Sequence, residues 1–138
     1  MHSVKHQDSV YFVGPLARFN LNFEKLTNTA KELSKEAGIF PSCKNPFKSI
    51  IVRSIETLYA CEEALRIIEQ FEMPEKPYVE VEPREGTGCG CTEAPRGILF
   101  HKYKIDSKGI IQDAKIVPPT SQNQKQIEDD LFALVRKN

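Results

Sequence analysis

The residue types that could do chemistry gather at positions 86–97, Gly-Thr-Gly-Cys-Gly-Cys-Thr-Glu-Ala-Pro-Arg-Gly. Gly86, Gly88 and Gly90 alternate with small residues, a composition that lets backbone come close to another group. Glu93 and Arg96 then bracket Ala94-Pro95. From a turn stiffened by Pro95, Arg96 would present five fixed donors, a device suited to an anionic or acceptor-rich group. Two readings stand side by side. Either the turn offers Arg96 to a ligand, or Glu93 and Arg96 pair with neighbouring elements and pin the loop. The stretch is no Walker loop, because no Gly-Lys-Ser/Thr follows. It is no dinucleotide fingerprint, because strand-like sequence comes next instead of a helix.

Other candidates carry less. Cys89-Gly90-Cys91 could share a soft metal, but such a site takes about four ligands. Cys43 and Cys61 are isolated, and His101 is a lone imidazole ten residues beyond Cys91. The pair reads as small side chains fitting a tight loop, and the cysteines read as reduced thiols of a cytoplasmic protein. His101 alternates with Leu99 and Tyr103, the pattern of a half-buried sheet histidine. Glu62-Glu63 and Asp129-Asp130 are sequence neighbours, about 100° apart on a helix, so neither makes a carboxylate dyad. They read as solvated faces.

The elements that must position these groups follow from periodicity and punctuation. The 138 residues suit one domain. Nineteen basic and nineteen acidic residues leave no net charge, which argues against nucleic acid or an anionic membrane as partner. No apolar run approaches the ~18 residues of a membrane helix, and the polar start does not read as a signal peptide. Residues 9–14 read as a strand or extended lead-in ended by Gly14-Pro15. A helix is expected over 22–37, capped by Asn22 and stopped at Gly38. A second should open at Asn45-Pro46 and run about seven turns, stopping before Pro74. Its apolar positions are Phe47, Ile50, Ile51, Ile55, Leu58, Tyr59, Ala64, Leu65, Ile68 and Phe71, with Glu62 and Arg66 spaced to pair on the polar side.

Beyond it, residues 78–82 alternate like an edge strand, and 86–90 read as a flexible loop. Residues 98–105 and 110–117 flank Asp106-Ser-Lys-Gly109, which predicts a hairpin. A last helix, capped by Thr120 or Ser121, would put Ile127, Leu131, Leu134 and Val135 on one face. The outline is α+β, mainly helical, with long core helices and a β-hairpin.

The run TEAPRGILFHKYKIDSKGIIQDAKIVPPTSQNQKQIEDDL resembles the middle of nickel–iron hydrogenase large (alpha) subunits. Within that family it is most similar to the cytosolic group of sulfhydrogenases, cofactor-reducing and bidirectional NAD(P)-linked enzymes. YFVGPLARFNLN and PFKSIIVRSIETLYACEEALRIIE resemble upstream family segments in the same order, so the likeness spans residues 9–135.

The resemblance implies the hydrogenase large-subunit fold. It implies a parent that splits dihydrogen into protons and electrons at a nickel–iron centre. It implies partners: electron-transfer modules and an iron–sulfur small subunit. Arg96 matches the family arginine that reaches over the metals, as cyanide anchor or as an aid to proton abstraction, and is the candidate catalytic residue. Ala94 and Pro95 match residues lining the iron-ligand pocket. Pro119 and Thr120 fall where a loop approaches a second cyanide.

Neither metal-binding CxxC of the family is present in the 138 residues. The expectation is a central segment, 1–138, without metal ligands of its own. It would supply surrounding groups that tune a centre but cannot bind it alone. On this reading the chain by itself binds no cofactor, has no hydrogenase activity, and exposes apolar helix faces that promote self-association. Two alternatives remain: a nickel-free relative resembling the quinone-cavity subunit of the respiratory complex, and a metal-free interaction scaffold.

Overall fold

A computed structural model describes residues 5–6 and 9–137, with side chains described over 10–136. The chain forms two compact units, Pro15–Val81 and the combination of Met1–Gly14 with Glu82–Asn138.

The first unit is helical. α1 covers Pro15–Asn22 and is followed by a 3-10 turn at Phe23–Lys25. α2 covers Asn28–Glu36. The single helix expected over 22–37 is therefore divided. Asn22 makes no side-chain capping bond, and Leu26 is extended (φ −65, ψ 151). The cap is Thr27, whose hydroxyl accepts from the Ala30 N–H at 3.3 Å. Periodicity ran through this break because Phe23 and Leu26 kept helical spacing across it. The predicted stop at Gly38 is present. Gly38 sits at φ +64, its N–H donates to the Lys35 carbonyl at 3.0 Å, and the Ile39 N–H donates to the Ser34 carbonyl at 2.9 Å. That double bond is the Schellman closure, which needs a left-handed residue.

Asn45 caps the long helix as expected, accepting from the Phe47 N–H at 3.0 Å. Its opening turn, Pro46–Lys48, is 3-10, and α3 proper covers Ser49–Glu69. Its buried residues are Val52 and Ile55; Leu16, Phe19, Ala30 and Ile39 are the other buried apolar residues of this unit. Of the ten apolar positions read from its period, Ile55 alone is buried. Leu65 and Ile68 remain 63% and 69% exposed. Period identifies a shared face; it does not say that a second layer covers it. Arg66 pairs with Glu63 at 2.7 Å, not with Glu62. Glu62 instead turns toward α2 and accepts a hydrogen bond from Thr27.

The second unit is a sheet with one long helix. β1 (Lys5–His6) and β2 (Ser9–Val10) form a small antiparallel pair. β3 (Gly86–Ala94), β4 (Gly97–Ile105) and β5 (Ile111–Val117) form an antiparallel meander in that order. The hairpin at 106–109 stands as read from sequence. The Asp106 carboxylate accepts from the Lys108 and Ile110 N–H groups, both at 2.9 Å, and Gly109 takes φ +80.

Two expectations fail beside it. Residues 78–82 form no strand, and 86–90 are strand, not flexible loop. Gly86, Gly88 and Gly90 lie opposite Ile105, Tyr103 and His101. All three glycines are exposed, and the segment is strand through its unbroken backbone pairing with β4. α4 covers Pro119–Lys137. It starts earlier than predicted: the Pro118 carbonyl accepts from Ser121 at 3.1 Å and from Gln122 at 3.4 Å. Thr120 and Ser121 thus lie inside the first turn instead of capping it, because Pro119 is pre-set for the first helical position. The architecture is α+β with four helices and a three-stranded antiparallel sheet, and no helix among the described residues is long and apolar enough to cross a membrane.

Candidate functional site: the Arg96 turn and its cradle

Pro95 and Arg96 are the two residues of the turn between β3 and β4, flanked by the paired Ala94 and Gly97. Pro pre-sets the backbone angle of the first turn position, and Gly97 closes the turn at φ +132. Arg96 is exposed, Pro95 is exposed and Ala94 is half-buried.

Two other segments close on this turn. A Cβ built on Gly14 would stand 2.7 Å from the Arg96 carbonyl oxygen. A Cβ on Gly97 would stand 2.8 Å from Val13 Cγ2, 3.1 Å from the Gly14 nitrogen and 3.2 Å from Pro119 Cβ. The extended segment before α1, the Arg96 turn and the start of α4 therefore meet at van der Waals distance. They can do so only because positions 14 and 97 lack side chains. Pro119 is buried in this junction, whereas the Thr120 side chain is exposed.

Polar bonds lock the same junction. The Asn123 side chain accepts from the Val13 N–H at 2.7 Å and donates to the Val13 carbonyl at 2.8 Å. Gln122 donates to the Ile98 carbonyl at 2.7 Å and accepts from the Tyr11 hydroxyl at 3.2 Å. Both amides are buried, so their bonds replace water for backbone that would otherwise be unsatisfied. Burial also pushes the Tyr11 phenol above its ordinary pKa, which keeps it a neutral donor.

Of the sequence candidates, Ala94, Pro95, Arg96 and Pro119 are brought to one junction, with Thr120 on the exposed side next to Pro119. Gly14, Tyr11, Gln122 and Asn123 escaped sequence reasoning. Their partners lie about a hundred residues away along the chain, and the only local signal was the Gln-Asn pair after the prolines.

The remaining candidates lie elsewhere on the sheet. His101 is half-buried in β4, stacked on Tyr103, and shares a 2.7 Å hydrogen bond with its hydroxyl through Nδ1. Cys89 and Cys91 are exposed on β3. Among the described residues no group of three or more His, Cys, Asp or Glu side chains could hold a metal ion.

No protein-family model matches the chain. Curated relatives do. A polypeptide of the vhu F420-non-reducing hydrogenase of Methanococcus voltae is 38% identical over 130 residues, covering 91% of this chain and 30% of the relative. The alpha chain of sulfhydrogenase 1 of Pyrococcus furiosus is 32% identical, covering 93% of this chain and 30% of the relative. Among solved structures, the Ni-Fe-Se hydrogenase from D. vulgaris Hildenborough in the reduced state matches with a TM-score of 0.64 and 26% identity, over 86% of this chain and 27% of that one. The reduced, active Ni-Fe-Se hydrogenase from Desulfomicrobium baculatum matches with a TM-score of 0.60 and 28% identity. The chain spans about 30% of the length of the curated relatives it matches. Sequence and fold agree, and the chain belongs to the nickel–iron hydrogenase large-subunit family, corresponding to a part of that subunit.

Proposed function

We propose that this chain acts as the part of a cytoplasmic nickel–iron hydrogenase large subunit that holds a donor-bearing arginine over the metal centre. The observation that carries the reading is the locked junction of Gly14, the Pro95–Arg96 turn, Gly97 and Pro119. Three chain segments fix the Arg96 backbone while the residue itself remains exposed. With its backbone anchored and its side chain exposed, Arg96 can offer its planar fork of donors from a defined base to an acceptor-rich group. Ala94 and Pro95 would line the same pocket, and Thr120 would offer a hydroxyl from the neighbouring helix start.

The described residues do not themselves fit a nickel–iron centre, since they gather no set of ligating side chains. The ligands would have to come from other polypeptide, and the groups here would surround the centre without binding it. The expected partners are therefore an iron–sulfur small subunit plus the remainder of a large subunit. Alone, this chain is expected to hold no stoichiometric nickel and to show no hydrogen turnover.

The test is made in a whole hydrogenase, at the arginine that aligns with Arg96. Changing it to lysine keeps the charge and removes the planar fork. Removal of one pre-organised donor of this kind costs roughly 100- to 1,000-fold in rate. Unchanged turnover in a fully metal-loaded variant would overturn the role given to Arg96. One tightly held nickel per isolated chain would overturn the division of labour.

A further inference from the structure

One face of the first turn of α4 is turned to the Arg96 junction. Pro119, Gln122 and Asn123 are spaced i, i+3 and i+4, so they share that face. Pro119 meets the Gly97 position, where an added Cβ would stand 3.2 Å from its own. Gln122 Nε2 donates to the Ile98 carbonyl at 2.7 Å. Asn123 takes both backbone groups of Val13, accepting at 2.7 Å through Oδ1 and donating at 2.8 Å through Nδ2.

These contacts bracket Arg96 from both sides. Ile98 lies two residues beyond it on β4. Val13 precedes Gly14, where an added Cβ would stand 2.7 Å from the Arg96 carbonyl oxygen. Holding Val13 holds what stands against that carbonyl, and holding Ile98 holds the strand that leaves the turn. Tyr11 completes the set: its hydroxyl donates to Gln122 Oε1 at 3.2 Å, which keeps Gln122 Nε2 turned to Ile98. Tyr11, Val13, Gly14, Arg96, Ile98, Gln122 and Asn123 all belong to one compact unit. Gln122 is 1% exposed and Asn123 8%. Further polypeptide can only bury them more, so the clamp is complete within this chain.

We propose that Gln122 and Asn123 are positioning residues for Arg96: together they set the place and direction from which its side chain leaves the turn. This role rests on the reading of Arg96 as a donor to an acceptor-rich group. The residue types suit the task. An amide side chain both donates and accepts, so Asn123 satisfies the N–H and C=O of Val13 together, as a neighbouring strand would. An apolar side chain could fill the same space, but it would leave buried backbone groups unpaired and the segment free to shift. Either amide alone would hold one side of the turn and let the other pivot. A merely structural role would have a different signature, a loss of order spread over the whole unit.

The test is backbone amide relaxation by NMR on the full chain, with circular dichroism to check that each variant is folded. In the wild type the Arg96 and Gly97 amides should have order parameters of about 0.85, those of rigid backbone. Asn123→Ala should lower them toward about 0.6, the flexible range, while the Lys108 and Gly109 amides of the far hairpin keep their wild-type values. Gln122→Met keeps side-chain length and should act in the same direction, and it carries the test if Asn123→Ala does not fold. Unchanged order at 96 and 97 in a folded variant, or an equal loss at 108 and 109, would overturn the proposal.

A second arm uses a fully metal-loaded whole hydrogenase with arginine, glutamine and asparagine at the aligned positions. The change matching Asn123→Ala should lower turnover about 100-fold, the scale of a misplacement near 1 Å. In a background already carrying the change that matches Arg96→Lys, it should lower turnover much less, because both act through the same side chain. No loss from the first change, or full multiplication of the two losses, would overturn the positioning role. Unchanged turnover from the arginine change by itself would instead sink the reading of Arg96, and the order parameters would still judge the clamp.

Discussion

Gly97 and Pro119 are packed so closely that a Cβ on Gly97 would stand 3.2 Å from the Pro119 Cβ. The residue after Arg96 and the residue that opens α4 thereby define one surface. Gly97 also holds φ +132, a region that L side chains rarely adopt. Gly97→Ala therefore meets both crowding and backbone strain, the latter costing about 1–3 kcal/mol. The expected outcome is a fall of several degrees in Tm, followed by circular dichroism. Gly88→Ala is the control: nothing lies within 4 Å of its added Cβ, and removing a strand glycine should be neutral or slightly stabilising. Equal losses from the two variants would show that the Gly97 junction is not specially tight.

Asn123 holds Val13 by both backbone groups, and this sets the path of the segment that crosses the Arg96 turn. Asn123→Asp can still accept from the Val13 N–H but turns an oxygen toward the Val13 carbonyl. The loss should be about 1–3 kcal/mol, the usual cost of a buried polar group without its partner. Acid should return part of it, since a protonated carboxyl can donate to that carbonyl. Urea unfolding at neutral and acidic pH reads both effects. A variant whose deficit does not shrink as pH falls would exclude the donor role of the Asn123 amide.

Local chemistry was the part of this fold that sequence could convey. The Asp106–Gly109 turn, the Asn45 cap and the Gly38 stop each depend on a few adjacent residues, and each stands. The division of the 22–37 helix at Leu26 escaped because apolar spacing continues across an extended residue. The glycine strand at 86–90 escaped because glycine signals loops, while what makes it strand is backbone pairing with β4, a partner later in the chain. Arg96 was legible as a residue type in a stiff turn. Its cradle was not, because Gly14, Gln122 and Asn123 act on partners that only the folded chain brings near.

Arg18 and Glu56 tie α1 to α3 through two parallel bonds, Nε to Oε1 at 2.7 Å and Nη2 to Oε2 at 2.8 Å. Both side chains are 23% exposed, so the pair is partly shielded from water. Arg18→Lys preserves charge but cannot reproduce the fork. We expect a loss of about 1 kcal/mol, near the upper end for ion pairs of this exposure. A double-mutant cycle with Glu56→Gln, read by urea midpoints, measures the coupling. A coupling of zero would mean that the fork only decorates the α1–α3 contact.

Glu62 links acidity to the capping of α2. The Thr27 hydroxyl donates to its carboxylate while accepting from the Ala30 N–H. That hydrogen bond, with a second from Thr29, holds the Glu62 carboxyl below its ordinary value of 4.5, against a small opposing effect of burial. The folded state therefore binds this proton less readily than the unfolded chain does. The stabilisation is fully present above 4.5 and is lost as pH falls through the lowered folded value. Glu62→Gln retains an oxygen that can accept from Thr27 but cannot titrate. Its stability should lack this acid-sensitive component while the wild type keeps it, in urea titrations from neutral pH downward. Thr27→Val removes the cap as well, so it should lose stability at every pH, by about 1 kcal/mol for the cap alone. Parallel pH profiles for the wild type and Glu62→Gln would show that the Thr27 bond does not favour the ionised carboxylate.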